Sequence, residues 1–181
     1  MTKYITRTAY FETLAIKDPL IKHTANVSVE GESQVRNSFI QISADQDGLN
    51  SDMISGLHWP FVVQSGFTGS LTERNFDIRN QYQNRLQFLT KVVITDAIPT
   101  KAQAIKNAKE QCLFILKKWL NRIYSDIEKG CAGDIRKIEL SSVRFYDLGP
   151  ISDDFYGWQL SFADDEPAND VIDADDEYFN P

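Results

Sequence analysis

The stretch from residue 82 to residue 162 constrains the fold most, because it predicts an alternating strand, then one long amphipathic helix, then a β-hairpin. Its first part alternates between apolar and polar residues over about fourteen positions, the period of a strand with one buried face. The apolar side chains are mostly Tyr82, Leu86, Phe88, Val92 and Ile94, and the polar ones are Gln81, Gln83, Arg85, Gln87 and Lys91. This length predicts a central antiparallel strand that keeps one face wet.

The helix is predicted to begin at Thr100. Thr100 and Gln103 have the spacing of a capping box, in which each side chain satisfies the backbone N–H of the other residue. Lys129-Gly130 supplies the stop. The apolar residues fall within an arc of about 140°: Ile105, Ala108, Cys112, Ile115, Leu116, Trp119, Leu120, Ile123 and Ile127. A helix of this length spans about 43 Å, and we expect it to pack across the sheet as the main buried ridge.

Shorter patterns predict the elements on either side. A first helix is expected at residues 3–17, ended by Asp18-Pro19, and a polar loop at residues 44–56. Strands are expected at residues 27–30, 38–43, 58–64 and 70–74. The closing hairpin pairs residues 138–146 with residues 156–162, and its turn contains Gly149-Pro150 and Ser152-Asp153-Asp154. The predicted fold is a single α+β domain, an antiparallel or mixed sheet packed against one long and one short helix with a C-terminal β-hairpin.

Charge divides the chain into two parts. The 26 Asp and Glu outnumber the 19 Lys and Arg, for a net charge of −7. Residues 164–181 contain eight of these acids and no base, which leaves residues 1–163 close to neutral. We therefore predict a folded domain over residues 1–163 and an acidic C-terminal tail over residues 164–181.

Two interpretations of the acidic tail stand at this point. Its like charges repel and its low apolar content favours a solvating extension. Its apolar pairs, Val171-Ile172 and Tyr178-Phe179, instead fit docking onto a basic, apolar-lined groove of a partner. The residues predicted to dock are Asp164, Asp165, Glu166, Asp173, Asp175, Asp176, Glu177, Tyr178 and Phe179. Nucleic acid is disfavoured as the partner of this tail, because phosphates would be repelled.

The sequence predicts no catalytic site, no metal site and no cofactor. Neither histidine, His23 or His58, has a Cys, Asp or Glu at a metal-ligand spacing, and the chain has no glycine-rich nucleotide-binding loop. Residues 45–52 alternate oxygen ligands as Ca²⁺ prefers, but the glycine stands at the wrong position and the closing bidentate acid is missing, which favours a solvated loop.

The two cysteines and the apolar runs predict the compartment. Cys112 lies on the apolar side of the long helix and Cys131 follows its stop, a spacing that matches neither a metal knuckle nor a disulfide framework. No apolar run is long enough for a signal peptide or a membrane span. We therefore expect free thiols, no membrane association and a soluble protein made in the cytoplasm.

Phe114 is the residue of the long helix that most suggests a contact with another molecule. It lies opposite the apolar arc, where a large aromatic side chain is unusual. The predicted subunit or partner interface is Phe114 with its polar neighbours Gln111, Lys118 and Asn121. The alternative is that the first helix or a loop of the same chain covers Phe114.

Three segments carry a resemblance to a known family. They are residues 85–91 (RLQFLTK) before the long helix, residues 143–149 (VRFYDLG), and residues 155–162 (FYGWQLSF). With the order of the predicted elements, they resemble the tail terminator proteins of long-tailed bacteriophages and phage-like particles. The likeness covers residues 3–163 as a pattern. The stretch from residue 25 to residue 74 is longer than this family leads us to expect, and the acidic tail is an addition.

The resemblance implies a structural protein of the virion, located in the tail or neck, that is in the host cytoplasm during assembly. Such a protein forms a homo-oligomeric ring, usually a hexamer, on the last ring of the tail tube, ends polymerisation of the tube and joins tail to head. Its partners are copies of itself, the tube protein and head–tail connector proteins. DNA passes through the lumen without specific binding, which a near-neutral or acidic lumen would allow.

Two other functions remain open. One is a monomeric cytoplasmic binding module whose acidic tail engages a basic partner, for example as an inhibitor. The other is an enzyme with a diffuse site built from Asp, Glu, Arg and Tyr. The oligomeric state distinguishes the binding module from the ring-forming protein, because a ring requires several subunits and a module does not.

Overall fold

The computed structural model describes residues 6–24, 36–43, 49, 53–54, 56–74, 77–98, 100–133, 135–152 and 154–167. The two helices are α1 (Arg7–Lys17) and α2 (Lys101–Glu128). The strands are β1 (Phe39–Ile42), β2 (Phe61–Arg74), β3 (Asp77–Lys91), β4 (Arg144–Ile151) and β5 (Phe155–Pro167). The predicted strand at residues 27–30 lies outside the described part of the chain. Most of the predicted loop at residues 44–56, including most of the alternating oxygen ligands at residues 45–52, also lies outside it.

The five strands form one mixed sheet in the order β1-β2-β3-β5-β4. β1 runs parallel to β2, and the other neighbours are antiparallel. The predicted α+β domain with a mixed sheet and one long helix is therefore confirmed. The longest predicted strand is β3, and it is central, as its period-two pattern indicated. β5 lies between β3 and β4, so the C-terminal hairpin joins the sheet through its second strand.

Both helices pack on one face of the sheet and form the main core. The indole of Trp119 on α2 meets the ring of Phe88 on β3 edge to face, with ring centroids 5.2 Å apart. Phe11 on α1 reaches Phe162 on β5 in a similar geometry at 6.5 Å. Burying a side chain of this size contributes about 1.5–3 kcal/mol. Other members of this core are Leu14, Val62, Leu86, Cys112, Ile115, Leu116, Ile123 and Leu160.

The caps of α2 agree with the sequence pattern except in one detail. The Thr100 hydroxyl accepts the backbone N–H of Gln103 at 3.3 Å, but the Gln103 side-chain amide donates to Asn107 at 2.8 Å instead of returning to Thr100. Only half of the capping box forms. Gly130 ends the helix with φ of +66°, a conformation that glycine adopts without steric cost.

The opposite face of the sheet is wet over only part of its area, which corrects the prediction for β3. Gln83, Arg85 and Lys91 are exposed on that face, but Leu89 is fully buried. Leu89 belongs to a second apolar cluster with Phe61, Val63 and Ile42, and the partly buried Leu49, Met53 and Leu57 pack against it. The residues just before β2 therefore cover one end of this face.

The predictions for β2 were wrong at its start and in its continuity. The strand begins at Phe61, three residues after His58, and runs unbroken to Arg74 instead of forming two pieces. Between Ser65 and Thr68, β2 has one residue more than the paired segment of β3, and the register of the two strands shifts there. A glycine in a strand often marks such a bulge, and Gly66 lies within this one without ending the strand.

The first strand of the C-terminal hairpin is also shifted from its prediction. Ile138 makes only an isolated bridge, to Asp164, and Leu140–Ser142 forms a 3₁₀ turn. The Ser142 hydroxyl accepts the backbone N–H of Ala163 at 2.7 Å, so a side chain occupies the position of a ladder bond there. β4 begins at Arg144 and includes Gly149 and Pro150, with a register shift between Leu148 and Ile151.

Candidate functional site on the long helix and the sheet edge

The outer face of α2 carries the predicted interface residues. Phe114 is 62 % exposed, and Gln111, Lys118 and Asn121 are exposed beside it. α1 lies further toward the C-terminal half of α2 and leaves Phe114 uncovered. A side chain of this size exposed on a rigid helix is available to a second molecule. Whether it is a subunit interface stays a prediction.

A groove of about 370 Å³ lies between α1 and α2, and it includes two of the predicted interface residues, Lys118 and Asn121. Leu14 from α1 and Trp119 from α2 supply apolar surface, and the remaining lining residues are Lys17, Asp18, Lys118, Asn121 and Arg122. The lining residues include three cations and one carboxylate, and Asp126 behind the wall supplies a second carboxylate through its bond to Arg122. The groove combines an apolar floor with a basic rim.

Asp18 is committed to holding the groove together. Its carboxylate accepts the Trp119 indole N–H at 2.9 Å and the backbone N–H of Leu20 at 2.8 Å. The ammonium group of Lys118 lies 3.5 Å from the same carboxylate. Asp18 is buried, and buried carboxylates need such donors to offset lost hydration. These bonds fix the Trp119 ring as the floor.

A second buried carboxylate, Asp126, supports the far wall of the groove. It accepts the Tyr10 hydroxyl at 3.1 Å and Nε of Arg122 at 2.8 Å. Burial, followed by the negative charge of Asp126, raises the pKa of Tyr10 far above its ordinary value, so its hydroxyl remains a donor. The hydrogen bond to Asp126 raises the pKa of Arg122, which stays charged at the rim. Sequence analysis missed Asp126 because it lies on the apolar arc of α2, where an acid gives no periodic signal.

The other flank of α2 has a shallower apolar groove of about 320 Å³ toward β5. It is lined by Ala102, Ile105, Lys106, Lys109, Glu110, Leu113 and Trp158. The Lys109 ammonium bonds to the Asp147 carboxylate of β4 at 2.8 Å and links the helix to the sheet edge. The Trp158 indole N–H is buried and has no hydrogen-bond partner among the residues that the structure describes.

β4 is an edge strand that exposes large apolar side chains. It pairs with β5 and with no other strand in the described part of the chain. Phe145 is 44 % exposed and Tyr146 is 48 % exposed on opposite faces of the strand, and Leu140 just before β4 is 73 % exposed. Soluble proteins protect edge strands against pairing with other chains, so a row of exposed aromatic residues there is unusual. The sequence signal for this surface was the pair of consecutive aromatic residues, Phe145-Tyr146. An alternating pattern assigns one of the two to the buried face, so it does not predict that both are exposed.

The structure corrects the start of the acidic tail. β5 runs through residue 163 to Pro167, and Asp164 is inside the folded domain, 1 % exposed. Nε and Nη2 of Arg7 donate to the Asp164 carboxylate at 3.1 and 2.8 Å, and the Asn84 amide donates at 2.9 Å. Asp164 is held there by its cation and is not available for docking. The backbones of Asp165 and Glu166 pair with β3; Asp173, Asp175, Asp176, Glu177, Tyr178 and Phe179 lie outside the described residues.

The histidines and acids do not assemble into a metal site in the residues described. No group of three or more His, Cys, Asp or Glu there is placed to hold a metal ion. His23 is buried and structural, because its Nδ1 accepts the backbone N–H of Ser38 at 3.2 Å. Of the described helices, none is long and apolar enough to cross a bilayer.

Neither protein-family models nor curated proteins match this chain. Any proposal for its function therefore rests on the surfaces described above, which are the outer face of α2, its two flanking grooves and the β4 edge.

The two thiols should differ sharply in reactivity. Burial raises the pKa of Cys112 to about 12, whereas Cys131 is exposed. A thiol reacts as its thiolate, so Cys112 should resist iodoacetamide at pH 8 while the protein is folded. Intact-mass spectrometry should find one adduct on the native protein and two after unfolding. The Cys131→Ser variant should take up none while folded, and fast labelling of Cys112 would contradict the buried position.

Proposed function

We propose that the protein is a structural subunit that assembles with copies of itself into a ring, as a tail terminator or neck component of a phage or phage-like particle. In this role it ends polymerisation of the tail tube and joins tail to head. The proposal combines the family resemblance of the sequence with one structural observation: the sheet has two different edges that no described strand covers.

The two edges lie at opposite ends of the sheet. One is β4. The other is formed by the short strand β1 and, beyond it, by the distal half of β2, because β1 pairs only with residues 62–65 and no described strand pairs with residues 66–74 on that side. β4 has 8 residues and this half of β2 has 9, so the lengths match. Two different edges that pair head to tail make a heterologous interface, the kind that closes into a ring when the rotation between subunits allows it.

The surfaces next to β4 supply the apolar contacts that such an interface needs. Phe145, Tyr146 and Leu140 would be covered by the neighbouring subunit, and the outer face of α2 with Phe114 would contact the same neighbour or the tube. A lumen that is near neutral or acidic would let DNA pass without binding, and residues 1–163 are close to neutral.

Phe145→Lys is the direct test of the edge. A lysine on an edge strand opposes pairing with another chain, so we expect association between subunits to weaken roughly tenfold or more. Phe114→Asp should weaken assembly on the α2 face. Sedimentation velocity over a range of concentrations, with and without the tail-tube protein of the same particle, measures the effect.

Ile94→Lys is the matched control, because Ile94 is 57 % exposed but lies outside β4 and α2. It should assemble like the unchanged protein. If the unchanged protein stays a monomer at every concentration, with and without tube protein, the ring proposal fails and the monomeric binding module is favoured. If it assembles and Phe145→Lys assembles equally well, the β4 edge is not the interface.

A further inference from the structure

We propose that the groove between α1 and α2 binds the C-terminal segment of its own chain, through Tyr178-Phe179 and the acids that precede them. This docking is independent of the ring. The sequence pattern of that segment fits a basic, apolar-lined groove, and the chain itself has one.

The chemistry of the groove matches an acidic segment with an apolar pair. Trp119 and Leu14 form an apolar floor, and Lys17, Lys118 and Arg122 stand around it. Two of these cations already lie beside a carboxylate, Lys118 at 3.5 Å from Asp18 and Arg122 at 2.8 Å from Asp126. Lys17 therefore supplies the excess positive charge of the rim. At about 370 Å³ the groove lies near the lower limit of binding pockets, a size suited to one or two side chains.

The chemistry of the segment is complementary to that groove. Residues 168–181 contain no Lys or Arg, and their acids alternate with two apolar pairs. Asp175, Asp176 and Glu177 come directly before Tyr178-Phe179. An aromatic side chain on the Trp119 floor would place these three carboxylates beside the basic rim. Aromatic contacts of this kind are more favourable than area burial alone.

The segment is long enough to reach the groove within one chain. Pro167 is three residues, about 10 Å, beyond Asp164, and Asp164 is bound to Arg7 in the first turn of α1. Lys17 at the groove is ten residues, about 15 Å, further along α1. Eleven extended residues from Pro167 to Tyr178 span up to about 40 Å, which exceeds both distances together with the Arg7–Asp164 pair. Tethering gives an effective concentration in the millimolar range, so even weak contacts suffice.

Docking would cover Lys118 and Asn121, which belong to the predicted interface on α2. If the proposed function is right, the segment then competes with assembly on that face until a neighbour displaces it. The docking itself does not depend on this consequence.

Truncation after Pro167 tests the docking by NMR at the Trp119 indole N–H. Loss of the segment should shift this resonance and those of Lys118 and Asn121, and a synthetic peptide of residues 168–181 should return them with saturable binding. Because the rim is charged, the affinity should fall as salt is raised. The peptide should bind the truncated Lys17→Gln/Lys118→Gln variant roughly fivefold or more weakly.

A matched pair of lysines on the same helix controls for charge alone. Lys101→Gln/Lys106→Gln removes two exposed cations at the other end of α2 and should leave peptide binding unchanged. The full-length Tyr178→Ala/Phe179→Ala variant should reproduce the shifts of the truncated protein. Identical Trp119 resonances in full-length and truncated protein, or a peptide that does not bind, would overturn the proposal, whatever the outcome of the assembly experiments.

A spin label decides whether the segment comes from the same chain. The label is placed at Asn180→Cys in a Cys131→Ser background, with Cys112 protected by burial. It should broaden the Trp119 indole resonance, and dilution of labelled chains with unlabelled, isotopically silent chains should not change this. Broadening that decreases with dilution would assign the segment to a second copy and overturn docking within the chain.

Discussion

Replacing Asp164 by alanine should lower the free energy of unfolding by about 3–5 kcal/mol. The carboxylate is 1 % exposed and is the counter-charge of Arg7, which is itself 5 % exposed. Its removal takes the Asp164 carboxylate from a buried guanidinium group and the acceptor from the Asn84 amide. Urea denaturation followed by circular dichroism measures the loss, and the same loss is expected for Arg7→Ala, which strands the carboxylate.

The matched control is Asp147→Ala. Asp147 is also bound to a cation, Lys109 at 2.8 Å, but it is about half exposed, and exposed ion pairs contribute at most about 1 kcal/mol. Equal losses for Asp164→Ala and Asp147→Ala would refute the buried character of the Arg7–Asp164 pair. The double variant Arg7→Met/Asp164→Leu should regain much of the stability, because replacing a buried pair by apolar side chains avoids the stranded charge.

The second large effect is expected at Gly157, where β5 passes β3 without room for a side chain. Gly157 stands opposite Leu89. A Cβ there would overlap the carbonyl oxygen of Phe88 and lie 3.1 Å from Cα of Leu89. Both are backbone atoms in the centre of the sheet and cannot rotate away. Gly157→Ala should therefore cost about 3 kcal/mol, the upper end of ordinary overpacking.

Gly56→Ala makes the same chemical change in open space. A Cβ at Gly56 meets no atom within 4 Å, so the free energy of unfolding should change by less than about 1 kcal/mol. Thermal unfolding of both variants beside the unchanged protein gives the comparison. A Gly157→Ala protein as stable as Gly56→Ala would mean that β3 and β5 are further apart than the structure has them.

The long helix and the central strand could be predicted from the sequence because their signals are local and repeated. Nine apolar residues on one arc and a threonine cap determine α2 almost to the residue. The alternation of apolar and polar residues likewise determines which face of β3 packs against the core. Pairing partners are not local properties, and the parallel β1–β2 pair and the insertion of β5 between β3 and β4 had no signal along the chain.

The candidate site likewise combines local features, which the sequence predicts, with features that depend on distant segments. The exposure of Phe114 is local, because it follows from the position of this residue around the helix. The groove needs α1 and α2 side by side, and its carboxylates, Asp18 and Asp126, have partners from distant segments. The sequence pattern places Asp164 in the tail, because composition cannot distinguish a solvated acid from one that pairs with an arginine 157 residues earlier.

The position of β5 also sets an order for biosynthesis. Among the described strands, β4 pairs with β5 alone, and the carboxylate that holds the first turn of α1 comes from β5 as well. Until β5 has left the ribosome, one side of β3 lacks its partner strand and Arg7 lacks the Asp164 carboxylate. Contacts between distant segments form slowly because the loop must close first, and open strands attract other chains in the meantime. The open edge of β3 is therefore the part of an unfinished chain most exposed to aggregation, until β5 pairs with it.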